Sequence, residues 1–201
     1  MRSCILVLLT AAPLVFSFGS LATGCDTVLL VIDMQKLWVE EEGWLTINLL
    51  DVVTAVAVAI TSAREGGLPT VFVKDISSDY ASADQLGFPE VIEPQTGETV
   101  VSKTKSSAFD ETGLKQILDT QGITRLLVCG ISSGACVSST VNAARELGYE
   151  IVIVADAHSG GANGKIAAFR NRMWASWGIS VIPTAEIDFA AFCVSEDSAP
   201  Q

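Results

Sequence analysis

The stretch Thr27-Val28-Leu29-Leu30-Val31-Ile32 contains no charge and no turn residue, and it stops at Asp33. A continuous run of Leu and β-branched residues suits a strand buried on both faces, since a half-exposed strand would alternate polar with apolar. Such a strand needs a layer of helices on each side. Comparable runs follow at Thr70–Val73, Thr99–Val101, Arg125–Cys129, Ile151–Val154 and Ser180–Ile182, most of them separated by helical segments. The alternation predicts an α/β fold, a three-layer α/β/α sandwich on a mostly parallel, Rossmann-like sheet of about six strands with right-handed crossovers.

Four helical segments accompany the strands. Residues 45–64 are apolar around nearly the whole circumference, with Asp51 too central for a membrane span. That helix is either well buried or part of a subunit interface. Residues 110–121 run from an acidic start at Asp110 and Glu111 to Gly122, a stop signal. From Cys136, the positions Val137, Val141, Ala144 and Leu147 keep helical spacing until Gly148, and a last helix spans 162–176. In open parallel sheets the site lies at the carboxyl ends of the strands. This rule selects Asp33, Lys74 and Asp75, Lys103, the turn Gly130–Cys136, and Asp156–His158 before any motif is considered.

The front of the chain reads differently. After Arg2, an apolar stretch from Cys4 to Phe16 leads through small residues to Gly24, the layout of a secretory signal peptide over 1–24. The remaining domain, 25–201, would then be exported: periplasmic, secreted or anchored at the cell envelope. Leu21-Ala22-Thr23-Gly24-Cys25 also resembles a bacterial lipobox, so membrane association would depend on lipidation of Cys25. The leader takes with it one Arg and no acid, leaving the mature chain more acidic than the full-length net charge of -11. Twelve Lys and Arg against 23 Asp and Glu exclude a nucleic-acid binder, which needs cations for phosphate. Export permits disulfides among Cys25, Cys129, Cys136 and Cys193, although no dense framework is visible. It also sets a reactive thiol in tension with an oxidising compartment.

Cys136 closes the small-residue turn Gly130-Ile131-Ser132-Ser133-Gly134-Ala135 between a buried strand and a helix. The free amides of a helix start lower a thiol's pKa and can receive a developing oxyanion. Cys is also a small buried hydrophobe in many folds, and mid-strand Cys129 fits that description. Asp33 is either a helix cap or a paired functional carboxylate, and Lys103, at another strand end, has the matching ambiguity. Together they could form a Cys–Lys–Asp set, in which the carboxylate accepts the thiol proton. His158 is either a pocket hydrogen-bonder or a loop residue that caps the next helix or sits at an interface.

Three ordered motifs carry a resemblance. Val31-Ile32-Asp33-Met34-Gln35, Lys103-Thr104-Lys105-Ser106-Ser107-Ala108-Phe109, and Val128–Val137 with Thr140 and Ala143-Ala144 after it are similar to the isochorismatase-like cysteine hydrolase superfamily. The likeness runs from about Thr27 to Phe189. It implies Asp33 as general base, Lys103 as its cationic partner and Cys136 as nucleophile. It further implies an oxyanion hole from the backbone amides of Ser132 and Cys136, a cis peptide between Ile131 and Ser132, and Trp38 as a pocket wall. Self-association into a homo-oligomer is the habit of the family.

Departures from the family narrow the chemistry. Relatives that hydrolyse nicotinamide carry an Asp-x-His-x-x-His metal segment, whereas Lys74–Tyr80 has no His and the chain has one in all. No metal and no cofactor are expected. Cys136 favours a thioester route over vinyl-ether hydrolysis of an isochorismate-type substrate, and Ser133 stands where Thr is more usual. The expected enzyme is an amidohydrolase cleaving the C–N bond of a small amide, carbamoyl or imide compound. The competing reading is an exported ligand-binding or redox-sensitive protein of the same fold.

Overall fold

The computed structural model describes residues 25–40, 49–79, 81–160 and 165–193. The expected leader over 1–24, the first residues of the helix from 45 and the tail after Cys193 lie outside the described residues. The elements are β1 (Thr27–Ile32), α1 (Lys36–Val39), α2 (Leu49–Glu65), β2 (Thr70–Asp75), β3 (Thr99–Lys103), α3 (Leu114–Thr120), β4 (Arg125–Ile131), α4 (Cys136–Glu146), β5 (Glu150–Ser159), α5 (Lys165–Ser176) and β6 (Ser180–Ile182).

All six residues of β1 are buried, as a strand without a polar face requires. Val28, Leu30 and Ile32 point into one core with Leu114 and Leu118 of α3, Val137 and Val141 of α4, and Trp174 of α5. Leu29 and Val31 point the other way, onto Val52, Val56 and Ile60 of α2. Each fully buried aliphatic side chain stabilises by roughly 1.5–3 kcal/mol, so one strand ties the three layers together.

The six strands form one parallel sheet in the order β3-β2-β1-β4-β5-β6. The chain winds outward from β1 to β3, then returns to β4 on the other side of β1. The crevice between the ends of β1 and β4 is therefore the topological switch point, where open α/β sheets bind their ligands. Gly130 fixes how closely those ends approach. Its φ is 117°, and a Cβ there would lie 2.1 Å from the Ile32 carbonyl oxygen. Only hydrogen fits.

Two boundaries differ from the sequence reading. Helix α3 starts at Leu114 rather than 110 because Glu111 takes a left-handed φ of 57°, which a right-handed helix cannot include. Strand β5 runs on to Ser159, and its register against β4 slips between Val128 and Gly130. Ile153 pairs with Val128, yet His158 pairs with Gly130. The slip brings the chain's single histidine beside the last turn of the nucleophile strand.

Helix α2 is buried on one face only. Leu50 and Val58 on its outer face are exposed, as is the neighbouring Val91, and they border a groove of about 950 Å³. No helix among the described residues is long and apolar enough to cross a membrane. At the opposite end of β1 from Asp33, Cys25 forms a disulfide with Cys193 in the final 3-10 turn. One sulfur cannot hold both this bond and a lipobox thioether.

Candidate active site

Three strand ends converge on one ammonium group. Lys103 closes the edge strand β3, and its side chain is fully buried. Its Nζ lies 2.8 Å from Asp33 Oδ2, 3.3 Å from Asp75 Oδ2, 3.3 Å from Cys136 Sγ and 3.1 Å from the Lys105 carbonyl. An ammonium has three protons, so four acceptors share them and the cation is fully surrounded. Lys105, two residues on, is half exposed and reaches Glu111 instead.

Asp33 follows β1 in a left-handed conformation with φ 52°, and its amide donates to Val73 O at 2.9 Å. Left-handed backbone is uncommon for a residue other than glycine, and here it turns the carboxylate from the strand end toward Lys103. While Oδ2 takes the ammonium, Oδ1 is buried with no hydrogen-bond partner. Burial pushes the Asp33 pKa up to about 6, even though Lys103 pulls the other way. Burial alone would lower the Lys103 pKa, but the charges of Asp33, Cys136 and Asp75 hold it above its ordinary value.

Cys136 is the first residue of α4, as the sequence places it, but its electrostatics reverse the expectation. Burial, then the Asp33 carboxylate, push the thiol up to about 11 despite Lys103. Helix-start amides favour a thiolate only where solvent and neighbours do not oppose it. The resting pair at neutral pH is thiol and carboxylate. Cys129, mid-strand in β4, is fully buried, and burial pushes its thiol far above the ordinary value.

The turn before Cys136 contains a cis peptide between Ile131 and Ser132. The Ser133 amide donates to Ser159 O, and those of Ala135 and Val137 donate to Ser132 O. The Ser132 and Cys136 amides have no acceptor among the described residues. The Ala108 amide donates to Thr140 Oγ1 at 3.0 Å, fastening the segment after Lys103 to the nucleophile helix. Trp38 lies on α1, its ring partly buried against the core on the α2 side.

Sequence reasoning selected Asp75 as a strand end but not as a member of the site. It is the register partner of Lys103 on β2. Gln35, wholly buried, holds it by two bonds: Gln35 Oε1 accepts from the Asp75 amide at 2.7 Å, and Nε2 donates to Asp75 O at 2.8 Å. Burial would raise the Asp75 carboxyl, but the Ser77 side chain and amide, then Lys103, hold it below the usual carboxylate value. The usable signal was Gln35, two residues after Asp33 and too polar to be buried without a partner. Donor atoms of Asp33, Asp75 and Cys136 lie within 4.8 Å of one another, the one trio in metal-ligating range among the described residues. The cation that serves all three is the Lys103 ammonium.

A parallel sheet with a thiol, an ammonium and a buried carboxylate at its switch point defines a class. The Isochorismatase domain family model matches residues 27–185, and the chain belongs to the isochorismatase family of hydrolases. A streptothricin hydrolase of Streptomyces noursei is 35% identical over 106 residues, half of this chain but only 38% of that protein. The ureidoacrylate amidohydrolase RutB of Yersinia enterocolitica is 27% identical over 190 residues, covering 75% of this chain and 81% of that one. The crystal structure of N-carbamoylsarcosine amidase from Thermoplasma acidophilum superposes with a TM-score of 0.70 at 25% identity, over 81% of this chain and 98% of that one.

Proposed function

We propose that the protein hydrolyses the C–N bond of a small amide, carbamoyl or ureido compound through Cys136. One observation carries the reading. The buried Asp33 carboxylate has Oδ2 on Lys103 and Oδ1 without a geometric hydrogen-bond partner, and the carboxylate comes within 4.8 Å of the thiol it would deprotonate, to which it is electrostatically coupled. An orphaned buried carboxylate oxygen is costly, and a waiting proton explains it. The names of the relatives support the bond type, since an amidohydrolase and an amidase stand among them.

The chemistry follows from the resting protonation. With the thiol near 11 and Asp33 near 6, proton transfer is uphill, so it accompanies attack rather than preceding it. The Asp33 carboxylate takes the thiol proton as Sγ bonds to the substrate carbonyl carbon, and the unengaged amides of Ser132 and Cys136 receive the oxyanion. Asp33 returns the proton to the departing nitrogen, the C–N bond breaks, and a thioester remains. Water, deprotonated by the same carboxylate, attacks the thioester, and the thiol leaves with its proton restored. Lys103 stays an ammonium throughout. Its bond to Sγ strengthens as negative charge moves onto sulfur.

A redox role through an intramolecular disulfide would need a partner sulfur for Cys136 among the described residues, whereas oxidation of Cys136 in place would not. Cys25 and Cys193 bond each other, and Cys129 is buried within β4, which disfavours the disulfide form of that role. The leader and export of the mature chain, and self-association through the exposed face of α2, belong to the same proposal. N-terminal sequencing tests the first, with an intact Met1 on the mature protein contradicting it. Sedimentation of wild type against Leu50→Glu tests the second. For the activity itself, a panel of small amides, ureas and imides is scored by ammonia release. Turnover that persists in Cys136→Ala would sink the mechanism.

A further inference from the structure

The proposed reaction makes no use of His158, yet it is the chain's one histidine and it is buried beside the nucleophile turn. Its Nδ1 lies 2.8 Å from Ser133 Oγ, and its Nε2 lies 2.7 Å from Asn171 Oδ1. Asn171 is itself fixed, because its Nδ2 donates to the Ala155 carbonyl at 2.9 Å. The amide oxygen therefore faces the ring, and an oxygen can only accept. The ring must donate from Nε2, which leaves Nδ1 bare to accept the Ser133 hydroxyl proton. Burial holds the ring below the ordinary histidine value, and the charged neighbour acting against that is Asp156. Asp156 is itself bonded through Oδ1 to the Thr184 amide and hydroxyl. Trp174 of α5 backs the imidazole edge-on, with centroids 5.3 Å apart.

Ser133 is thereby held at every polar atom. Its amide donates to Ser159 O, its hydroxyl meets His158, and its carbonyl accepts from the Ser138 hydroxyl. Gly160, just beyond the end of β5, closes the same contact, where a Cβ would lie 2.9 Å from Ser132 Cβ and 3.0 Å from the Ser133 amide nitrogen. The residue pinned this way adjoins Ser132, whose amide is one of the two left without an acceptor.

We propose that the chain Asn171–His158–Ser133 is a positioning device for the oxyanion-binding turn, with the Nε2–H tautomer of His158 as its central link. The inference rests on the hydrolytic reading and specifies what holds its oxyanion donors in place. His158 touches no reacting atom. It acts through Ser133, so its loss should slow attack on a carbonyl without changing the reactivity of the thiol.

Two chemical probes separate those effects. p-Nitrophenyl acetate acylates a thiol through an oxyanion, whereas iodoacetamide alkylates it by displacement at carbon, with no oxyanion formed. In Ser133→Ala and Asn171→Leu, the acylation burst is expected to slow at least tenfold, with iodoacetamide alkylation of Cys136 within about twofold of wild type. Ser133→Thr, which keeps the hydroxyl, should restore acylation. The double variant should be no slower than the worse single one, because both cut the same chain. Nitrogen-15 spectra of the single histidine should show the Nε2–H tautomer in wild type and its loss in Asn171→Leu. Acylation unchanged in both variants, or acylation and alkylation falling together, would overturn the proposal. Wild-type protein that alkylates but never acylates would instead overturn the hydrolytic reading beneath it.

Discussion

Leu30 in the middle of β1 and Lys103 at the end of β3 are equally hidden from solvent, but for opposite physical reasons. Leu30 is buried because leaving water is favourable for it. Lys103 is buried at a desolvation cost that Asp33, Asp75, Cys136 and the Lys105 carbonyl together offset. The strand interiors supply the stability, and the strand ends consume part of it to keep charges where chemistry needs them. Substitutions in the two regions should therefore separate folding from turnover.

The largest expected effect is Cys136→Ala, with turnover falling by about 10³-fold or more and thermal stability nearly unchanged. Leu30→Ala should do the reverse, losing about 2–5 kcal/mol of unfolding free energy in denaturant titration, with kcat preserved wherever the protein remains folded. Cys193→Ser, which releases the loop closed by the Cys25 disulfide, should lose about 2–4 kcal/mol, and reductant should do the same to wild type.

Asp33→Asn sharpens the contrast further. The folded chain binds the Asp33 proton more tightly than the unfolded chain, at about 6 against 3.8. That contribution to stability is full below about pH 4 and is lost as pH rises through about 6. Asn never ionises, so the inactive variant should lack this pH dependence and gain stability relative to wild type as pH rises from about 4 to about 8, on top of whatever the loss of the Lys103 counter-charge costs at every pH. The smallest effect is Asp75→Asn. Wild-type kcat/KM should rise with pH through about 6 as Asp33 ionises. Removing the neighbouring negative charge lets Asp33 ionise more easily, so the acid limb should move to lower pH. A limb that stays in place would remove Asp75 from the electrostatics of the site.

Periodicity made β1 legible at once, because six apolar residues leave a strand no exposed face. The rule that open parallel sheets carry their site at the carboxyl ends of the strands made those ends legible as a group, and the motifs singled out Asp33, Lys103 and Cys136 among them. What escaped depends on neighbours distant in sequence. Gln35 clamps Asp75 across 40 residues, and Cys25 meets Cys193 across 168. The direction of the Cys136 shift was misread for a similar reason. A helix start is a local feature, but burial and the facing Asp33 belong to the assembled fold, and they dominate. Likewise Glu111 reads as a first-turn acid, and only the backbone shows it turned left-handed.

The two sulfur functions sit at opposite ends of one strand. The disulfide adjoins the first residue of β1, and the nucleophile lies beyond its last, about 20 Å away at the rise of a parallel strand. A reductant added to protect the thiol also opens the bond that fastens the two ends of the domain. The same reducing conditions that keep Cys136 a thiol therefore act on the disulfide at the other end of β1, so thiol activity and stability should be measured with and without reductant.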